Sequence, residues 1–283
     1  MGAKSGFRAL FAAVLSFAAS GCRVPTPEDR AAPVALRIAV NDVYCADTSC
    51  SCVRDVAART YPELVERLKE TCGIELRLDY FSDTYQLEDA LAEGTYDGAI
   101  CKPWLAFRTQ EASGAKWLRV ADLLDPQNNQ WLRGSFIVPV DSPIRTMEDI
   151  SGKRLAIGES DGYEKHHAAL RTLRELRIVP KMILQSASCG ENVGLLQDGK
   201  ADAAVISDYA LRADCAVDYA SPEDFRILGR TDPIPLTSFL IDTNRVSVEM
   251  AERLKRGLLR VSGPGAPHTL MGNGFVEPAP WTP

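Results

Sequence analysis

The sequence has no excess of basic residues, few histidines and only one long apolar run. Its 283 residues include 32 lysines and arginines against 38 aspartates and glutamates, a net charge of −6. This balance argues against a nucleic acid partner, because phosphate backbones select basic surfaces. The three histidines form no HExxH or similar pair, so we expect no metal site. At 46% hydrophobic and 25% charged, the chain has the composition of an ordinary globular protein.

The one apolar run lies at the N-terminus, where two basic residues precede ALFAAVLSFAASGC. This pattern predicts a secretory signal over residues 1–21. AASGC resembles a bacterial lipobox, which implies that Cys22 carries lipid and that the polar, Pro-rich residues 22–34 form a tether. Because Ala19 stands where a lipobox usually has leucine, cleavage without lipid and an uncleaved anchor stay open as alternatives. We expect a bacterial lipoprotein held in the periplasm or on the cell surface.

Strands and helices alternate after the tether, in two successive units. ALRIAV, IELRLDYF and YDGAICKPW are strand-like, with helical segments between them, and this βαβαβ order predicts a parallel sheet. The pattern restarts at GSFIVPV (134–140) and includes a strand at 153–158 and a helix predicted over 163–176. The last helix, SVEMAERLKRGLLRVSG, has no sheet of its own, so we expect it to return to the first unit.

Two longer segments then carry a family resemblance. DSPIRTMEDISGKRLAIGESDGYEKHHAALRTL and LLQDGKADAAVISDYAL resemble the type 2 periplasmic binding proteins, in the phosphate, phosphite and phosphonate-binding (PhnD-like) branch. YQLEDALAEGTYDGAICKPW is similar to that family's helix, Gly, Asp, strand and ligand-loop pattern. The resemblance covers roughly residues 35–262.

The resemblance implies an α/β fold of two Rossmann-like lobes with a hinge and a cleft between them. We expect lobe 1 to comprise residues 35–133 with 240–283, and lobe 2 residues 134–239, with crossings near Leu132–Val140 and Asp232–Thr243. It also implies a monomer without cofactors that carries a small ligand to an ABC permease in the membrane and performs no catalysis.

The ligand site is expected beyond the carboxyl ends of the strands, where helix N-termini offer free N–H groups. ESDGY is interpreted as such a helix start, with Asp161 and Glu164 as a capping box, and SASCGENVG, with Ser188 as its cap, as the facing wall. The amine-bearing members of the family imply that Asp208 meets an ammonium group, whereas its structural alternative is a helix cap. For a small oxyanion such as phosphate or phosphonate, the predicted ligand-binding residues are Asn41, Tyr44, Tyr85, Lys102, Trp104, Ser160, Asp161, Gly162, Tyr163, Ser207 and Asp208.

Two motifs offer other chemistry. His166 and His167 are neighbours and point about 100° apart on a helix, so they cannot easily share a metal; we expect one half-buried and one exposed. GESDG matches the G-x-S-x-G nucleophile elbow with Ser160 as nucleophile. Only His268 follows that helix, in a Gly/Pro-rich tail, so the sequence does not support a hydrolase.

Seven cysteines follow Cys22, and disulfides are the default in an exported protein. We predict a Cys189–Cys215 bridge and two bridges among the five cysteines of the first lobe, which leaves one odd thiol. Thiolate metal binding by CxxxxCxC is the alternative. A bridge beside NDVY is a further hypothesis, because it would shape the cleft. The disulfide candidates are Cys45, Cys50, Cys52, Cys72, Cys189 and Cys215.

A second function of another class stays open. Proteins of this fold can lose transport and serve as periplasmic partners or sensors of a redox enzyme. The Cys-rich loop, Trp104, Trp131 and the tail FVEPAPWTP would then be contact surfaces. An apolar patch around Trp281 would favour this alternative.

Overall fold

The computed structural model describes residues 34–49, 53, 56–210 and 221–282. Residues from Pro33 to Pro283 form one compact unit. The predicted signal, the tether and lipid attachment at Cys22 lie outside the described residues, so they stay predictions. Within the described ranges, no helix has the length and apolar character needed to cross a membrane.

A six-stranded sheet forms the first lobe. In sheet order its strands are β13 (Phe275–Val276), β4 (Trp117–Leu123), β12 (Thr237–Asp242), β3 (Gly98–Cys101), β1 (Val34–Asn41) and β2 (Ile74–Tyr80). β1 pairs in parallel with both β2 and β3, as the βαβ pattern predicts. β12 lies antiparallel between β3 and β4.

Five of the described helices cover this sheet, namely α1 (Pro62–Cys72), α2 (Thr84–Ala92), α3 (Pro103–Arg108), α4 (Gln110–Ser113) and α7 (Val248–Arg260). Short 3₁₀ turns follow at Gly263–Gly265 and His268–Leu270. Leu254 and Leu258 on α7 are buried with Leu64 and Leu68 on α1, because each pair is four residues apart on one helix face. The last helix therefore packs on the first lobe, which confirms that prediction.

A five-stranded sheet forms the second lobe. Its order is β10 (Phe225–Arg230), β6 (Gly134–Pro139), β9 (Ala203–Ser207), β7 (Arg154–Gly158) and β8 (Met182–Ser186). β7 is parallel to β8 and β9, whereas β6 is antiparallel to β9 and β10. The helices α5 (His167–Glu175) and α6 (Cys189–Gln197) connect the parallel strands, and 3₁₀ turns lie at Glu148–Ile150 and Pro222–Asp224.

The two crossings between the lobes lie side by side. β5 (Trp131–Leu132) and β11 (Ile234–Pro235) form a two-stranded antiparallel ribbon. Such paired crossings are typical of a hinge, since a few residues absorb the motion of two rigid lobes. The return strand β12 begins at Thr237, so the chain rejoins the first sheet three residues before the predicted boundary at 240.

The segment after β7 departs from the prediction. α5 begins at His167, not at Tyr163, and residues 160–161 and 163–166 form turns. Asp161 and Glu164 do not cap a helix, because both side chains reach the first lobe: Asp161 accepts a hydrogen bond from Thr84, and Glu164 pairs with Lys102. Contacts across the cleft thus outweigh the local capping preference.

Candidate functional site

A cavity of about 150 Å³ lies between the two lobes. Its walls are formed by residues that end or follow six strands, as expected for open α/β sheets. From the first lobe come Asn41, Val43, Thr48, Ser82, Thr84 and Lys102, and from the second come Asp161, Gly162, Lys165, Ala187, Ser188, Cys189 and Tyr209. Pockets for drug-sized ligands span about 300–1,000 Å³, so this cavity suits a much smaller molecule.

Two helices start at the cavity wall, one from each lobe. Thr84 is the first residue of α2, whose cap Asp83 accepts a hydrogen bond from the Gln86 N–H at 2.9 Å. Ser188 caps α6 and accepts from the Glu191 N–H at 3.0 Å, as predicted for the facing wall. Helix N-termini carry a partial positive charge, so both ends favour an anion in the cavity.

Lys102 places an ammonium group at this wall and pairs across the cleft with Glu164. Lys102 Nζ lies 3.3 Å from Glu164 Oε1, and the Ser207 hydroxyl donates to the same oxygen at 2.5 Å. Glu164 is fully buried, and its Oε2 has no hydrogen-bond partner within the described part of the chain. Burial alone would raise the pKa of Glu164, but the charges of Lys102 and Lys165 and the Ser207 hydrogen bond outweigh it and hold that pKa below its ordinary value. The Glu164 carboxyl group is therefore ionised at neutral pH.

Two further polar contacts join the lobes near the cavity. Thr84 Oγ1 donates to Asp161 Oδ2 at 3.1 Å, and the Arg108 guanidinium donates to the Ser160 carbonyl oxygen at 3.3 Å. Asp161 also lines the cavity, so a negative group lies among the cationic ones. An anion bound here would meet both attraction and one local repulsion.

Aromatic side chains close one side of the cleft, and we name them the aromatic cluster. The Trp104 ring centroid lies 4.5 Å from that of Tyr163 and 4.9 Å from that of His167. Trp281, from the C-terminal tail, lies 6.0 Å from Tyr163 and 6.1 Å from Phe107. The tail thus contacts the second lobe. Trp281 is partly buried here and does not form the exposed patch that would favour the partner-protein alternative.

Neither of the adjacent histidines is exposed, so the expectation that one of them would be exposed was wrong. His166 is 8% exposed, and its Nδ1 lies 2.7 Å from the Gly158 carbonyl oxygen. His167 is half-buried, and its Nε2 lies 3.1 Å from the carbonyl oxygen of Ser160. Burial, followed by the charge of His166, lowers the pKa of His167. His167 therefore contacts the Ser160 backbone rather than its hydroxyl, which is not the arrangement of a nucleophile and its base.

The structure brings four of the eleven predicted ligand residues to the cavity wall, namely Asn41, Lys102, Asp161 and Gly162. Ser207 lies behind Lys102, and Trp104 and Tyr163 belong to the aromatic cluster. The other four do not line the cavity. Tyr44 is buried near Arg59, Tyr85 is 47% exposed, Ser160 offers its carbonyl oxygen to Arg108, and the Asp208 N–H donates to the Arg133 carbonyl oxygen.

Several wall residues were missed by the sequence reasoning. Ser82 and Thr84 follow β2 and begin α2, so their place at a strand end was a usable signal. Thr48 and Lys165 lie in irregular segments, and their positions depend on the packing of both lobes. Glu164 was interpreted as part of a helix cap. Its partner Lys102 lies 62 residues away in the chain, so the local sequence gave no sign of their contact.

The cysteines differ from the disulfide prediction. Cys45, Cys72 and Cys101 are free thiols, so two bridges among five first-lobe cysteines are not formed. Cys45 and Cys101 are fully buried in the core, and burial raises the pKa of both thiols, that of Cys101 to about 12. Cys189 lines the cavity and its Sγ accepts the Ser207 N–H at 3.4 Å.

The remaining cysteine predictions are not tested by the structure. Cys50, Cys52 and Cys215 lie outside the described residues, so a Cys189–Cys215 bridge stays a prediction. Among the residues that the structure does describe, no group of three or more metal-ligating side chains comes together.

Comparison with known proteins gives one family and several structural neighbours. The family model described as "ABC transporter, phosphonate, periplasmic substrate-binding protein" matches residues 53–280. Curated proteins give no match to this chain.

Three solved structures illustrate the neighbours. XAC2383 from Xanthomonas citri bound to ATP is 17% identical, with a TM-score of 0.64 over 87% of this chain and 92% of that one. PhnD1 from Prochlorococcus marinus in complex with methylphosphonate is 10% identical, with a TM-score of 0.60 over 87% and 93%. The aliphatic sulphonate binding protein SsuA from Escherichia coli is 19% identical, with a TM-score of 0.54 over 81% and 71%. At these identities the neighbours show the fold, and they confirm the two-lobed type 2 architecture.

Proposed function

The chain belongs to the family of periplasmic substrate-binding proteins of phosphonate ABC transporters, and on this premise we propose that it binds one small phosphonate-type oxyanion in the interlobe cavity for delivery to a membrane permease. The family is a transport component and not a family of enzymes. The observation that carries the proposal is the cavity itself, where the N-termini of α2 and α6 and the ammonium group of Lys102 converge from both lobes.

Lys102 has hydrogen-bonding capacity left for a ligand. An ammonium group has three donors, and the 3.3 Å contact between Lys102 and Glu164 is longer than the 2.7–2.9 Å typical of charge-assisted hydrogen bonds. Glu164 is a positioning residue in this proposal, because its buried carboxylate holds Lys102 at the wall. The hydroxyl groups of Ser82 and Ser188 supply further hydrogen bonds to ligand oxygens.

Asp161 selects the protonation state of the ligand in this proposal. Its carboxylate would repel a fully ionised anion but would accept a hydrogen bond from a P–OH group. Near neutral pH a fraction of phosphoryl groups still carries such a proton, since their second pKa is about 6 in phosphate esters, and Asp161 would bind that fraction, whereas a sulfonate carries none. The cavity therefore favours a singly protonated phosphonate, phosphite or phosphate over sulfate and sulfonates.

The test is isothermal titration of the protein with methylphosphonate and with methanesulfonate, which have the same shape and differ in the proton. We expect binding of methylphosphonate alone. Lys102→Ala should weaken it roughly 10- to 150-fold, since a hydrogen bond to a charged group contributes about 1.5–3 kcal/mol. Lys200→Ala is the control, because Lys200 is 64% exposed in a surface pair with Asp198.

Asp161→Asn tests the selection directly. Without the negative charge, affinity for methanesulfonate should rise by roughly tenfold or more. No heat with any oxyanion, from a folded protein, would overturn the proposed ligand class.

Lipid attachment at Cys22 completes the proposal. An acylated protein would remain close to the permease in its membrane. The sequence AASGC supports this anchor, and the mass of the N-terminal peptide from membrane fractions tests it. A peptide that begins elsewhere or carries no acyl chain would contradict it.

A further inference from the structure

Three arginines of α7 form a basic surface at the far end of the first lobe, which we name the arginine face. Arg253, Arg256 and Arg260 are three to four residues apart, so they lie on one side of the helix. They line a cavity of about 410 Å³ together with Thr71, Cys72 and Gly257, with no acidic residue in its wall. This concentration of positive charge is unusual in a chain of net charge −6.

The three guanidinium groups are not neutralised by neighbouring carboxylates. Among the described residues, none of them has an ion-pair or hydrogen-bond partner, whereas Arg37, Arg67 and Arg154 each pair with an acid. Arg253 lies over the C-terminal end of α1, close to Gly73, where a cation is favoured by the helix dipole. Arg260 ends α7, where the dipole of that helix also favours a cation, whereas Arg256 has no such role. Both residues are exposed.

The arginine face lies beside the point where the N-terminal segment joins the fold. The N–H of Val34, the first residue of β1, donates to the carbonyl oxygen of Gly73 at 3.3 Å, and Gly73 adjoins Arg253. Eleven residues separate Val34 from Cys22. A chain of that length reaches at most about 40 Å.

We propose that the arginine face is a docking surface for the anionic phospholipid headgroups of the membrane to which the protein is anchored. The proposal rests on the lipid anchor proposed above, since that anchor brings this end of the lobe to the bilayer. Arginine pairs well with phosphate groups through its planar fork of donors. The face lies at the amino end of β1, and the ligand cavity lies at its carboxyl end, so contact with the bilayer leaves the cavity free to collect ligand.

The experiment measures sedimentation of the full mature chain with vesicles. The protein begins at residue 22 and carries Cys22→Ser, so that no acyl chain contributes. Vesicles consist of phosphatidylcholine alone or with one-third phosphatidylglycerol, at 20 and 300 mM salt. We expect binding to the anionic vesicles only, and loss of that binding at high salt.

The variant Arg256→Gln/Arg260→Gln should reduce partitioning onto anionic vesicles about 30-fold, because each arginine near such a surface contributes about a fivefold factor. The control, Arg145→Gln/Arg230→Gln, changes the same charge at two exposed positions of the second lobe and should leave binding unchanged. Circular dichroism and thermal midpoints check that both variants fold.

Three results would overturn the proposal: no binding of the parent protein to anionic vesicles, equal binding of the Arg256/Arg260 variant, or an equal loss in the control. The fate of the anchor is decided separately by the mass of the N-terminal peptide. An unacylated Cys22 would therefore refute the anchor without deciding whether the arginine face binds lipid.

Discussion

Replacing Lys102 with methionine is expected to destabilise the protein by about 3–5 kcal/mol at pH 7. The substitution leaves Glu164 fully buried, with one carboxylate oxygen bonded to Ser207 and the other without a partner in the described structure. Removal of one member of a buried ion pair costs about this much, because the remaining charge loses its nearest counterion and cannot reach water. Urea unfolding followed by circular dichroism measures the change in the free energy of unfolding.

Replacing the other member of the ion pair, Glu164, should cost less. Glu164→Gln leaves Lys102, which is 18% exposed and faces the cavity, so its ammonium group reaches water and the expected cost is about 1–2 kcal/mol. Lys200→Met is the matched control. Its partner Asp198 is 59% exposed, and the free energy of unfolding should change by no more than about 0.5 kcal/mol.

The stability cost of replacing Lys102 also depends on pH. Lys102→Met removes the first of the charges that lower the pKa of Glu164, so burial raises that pKa and the carboxylate becomes easier to protonate. The cost of the substitution should therefore shrink as the pH falls from 7 to 5. In the parent protein the lowered pKa of Glu164 stabilises the fold above the unfolded value of about 4.5, and this contribution is lost as the pH falls through the folded value.

Equal costs for Lys102→Met and Glu164→Gln, both below about 1 kcal/mol and unchanged between pH 7 and 5, would refute this reasoning. That result would mean that the ion pair is solvated, with the lobes apart in solution.

The other predictions concern the aromatic cluster and the thiols. Since the pKa of His167 is lowered by burial, the parent protein should lose stability as the pH falls below about 6.5. The His167→Gln variant should lose less stability over the same range. Equal changes in the urea unfolding of both proteins between pH 7.5 and 5.5 would contradict this. Trp281→Ala should lower the free energy of unfolding by about 1–2 kcal/mol, less than the loss of a fully buried tryptophan. It should also weaken methylphosphonate binding, because the lobes lose a contact. Unchanged stability and affinity would refute this prediction. The thiols of Cys45 and Cys101 should resist iodoacetamide in the native protein at pH 8 and react after unfolding, whereas rapid native labelling in peptide maps would exclude their burial.

The sequence predicted the architecture because the fold depends on patterns that repeat locally. Alternating strands and helices, buried β-branched runs and the unpaired last helix all indicated two α/β lobes. The principle that ligands bind beyond strand ends pointed to Asn41 and Lys102, and both residues lie at the cavity wall; their contact with a ligand stays a prediction. Those residues end or directly follow β1 and β3, so neither position required knowledge of how the lobes meet.

The sequence-based predictions were wrong where contacts between the lobes change the local structure. ESDGYEK satisfies a helix start locally, yet Lys102 in the opposite lobe draws Glu164 inward and α5 begins four residues later than predicted. The cysteines show the same limit. Spacing and export favoured disulfides, but Cys45 and Cys101 are core side chains whose thiols do not meet, and burial cannot be deduced from spacing.

A crystal structure of the protein with methylphosphonate would show whether the interlobe cavity is the ligand site. We expect phosphonate density between the lobes, with its oxygens within 3.2 Å of Lys102 Nζ and of the Ser188 hydroxyl, and with one oxygen facing Asp161. Phosphonate bound outside this cavity, or a cavity without phosphonate at a concentration that saturates the protein in solution, would contradict it.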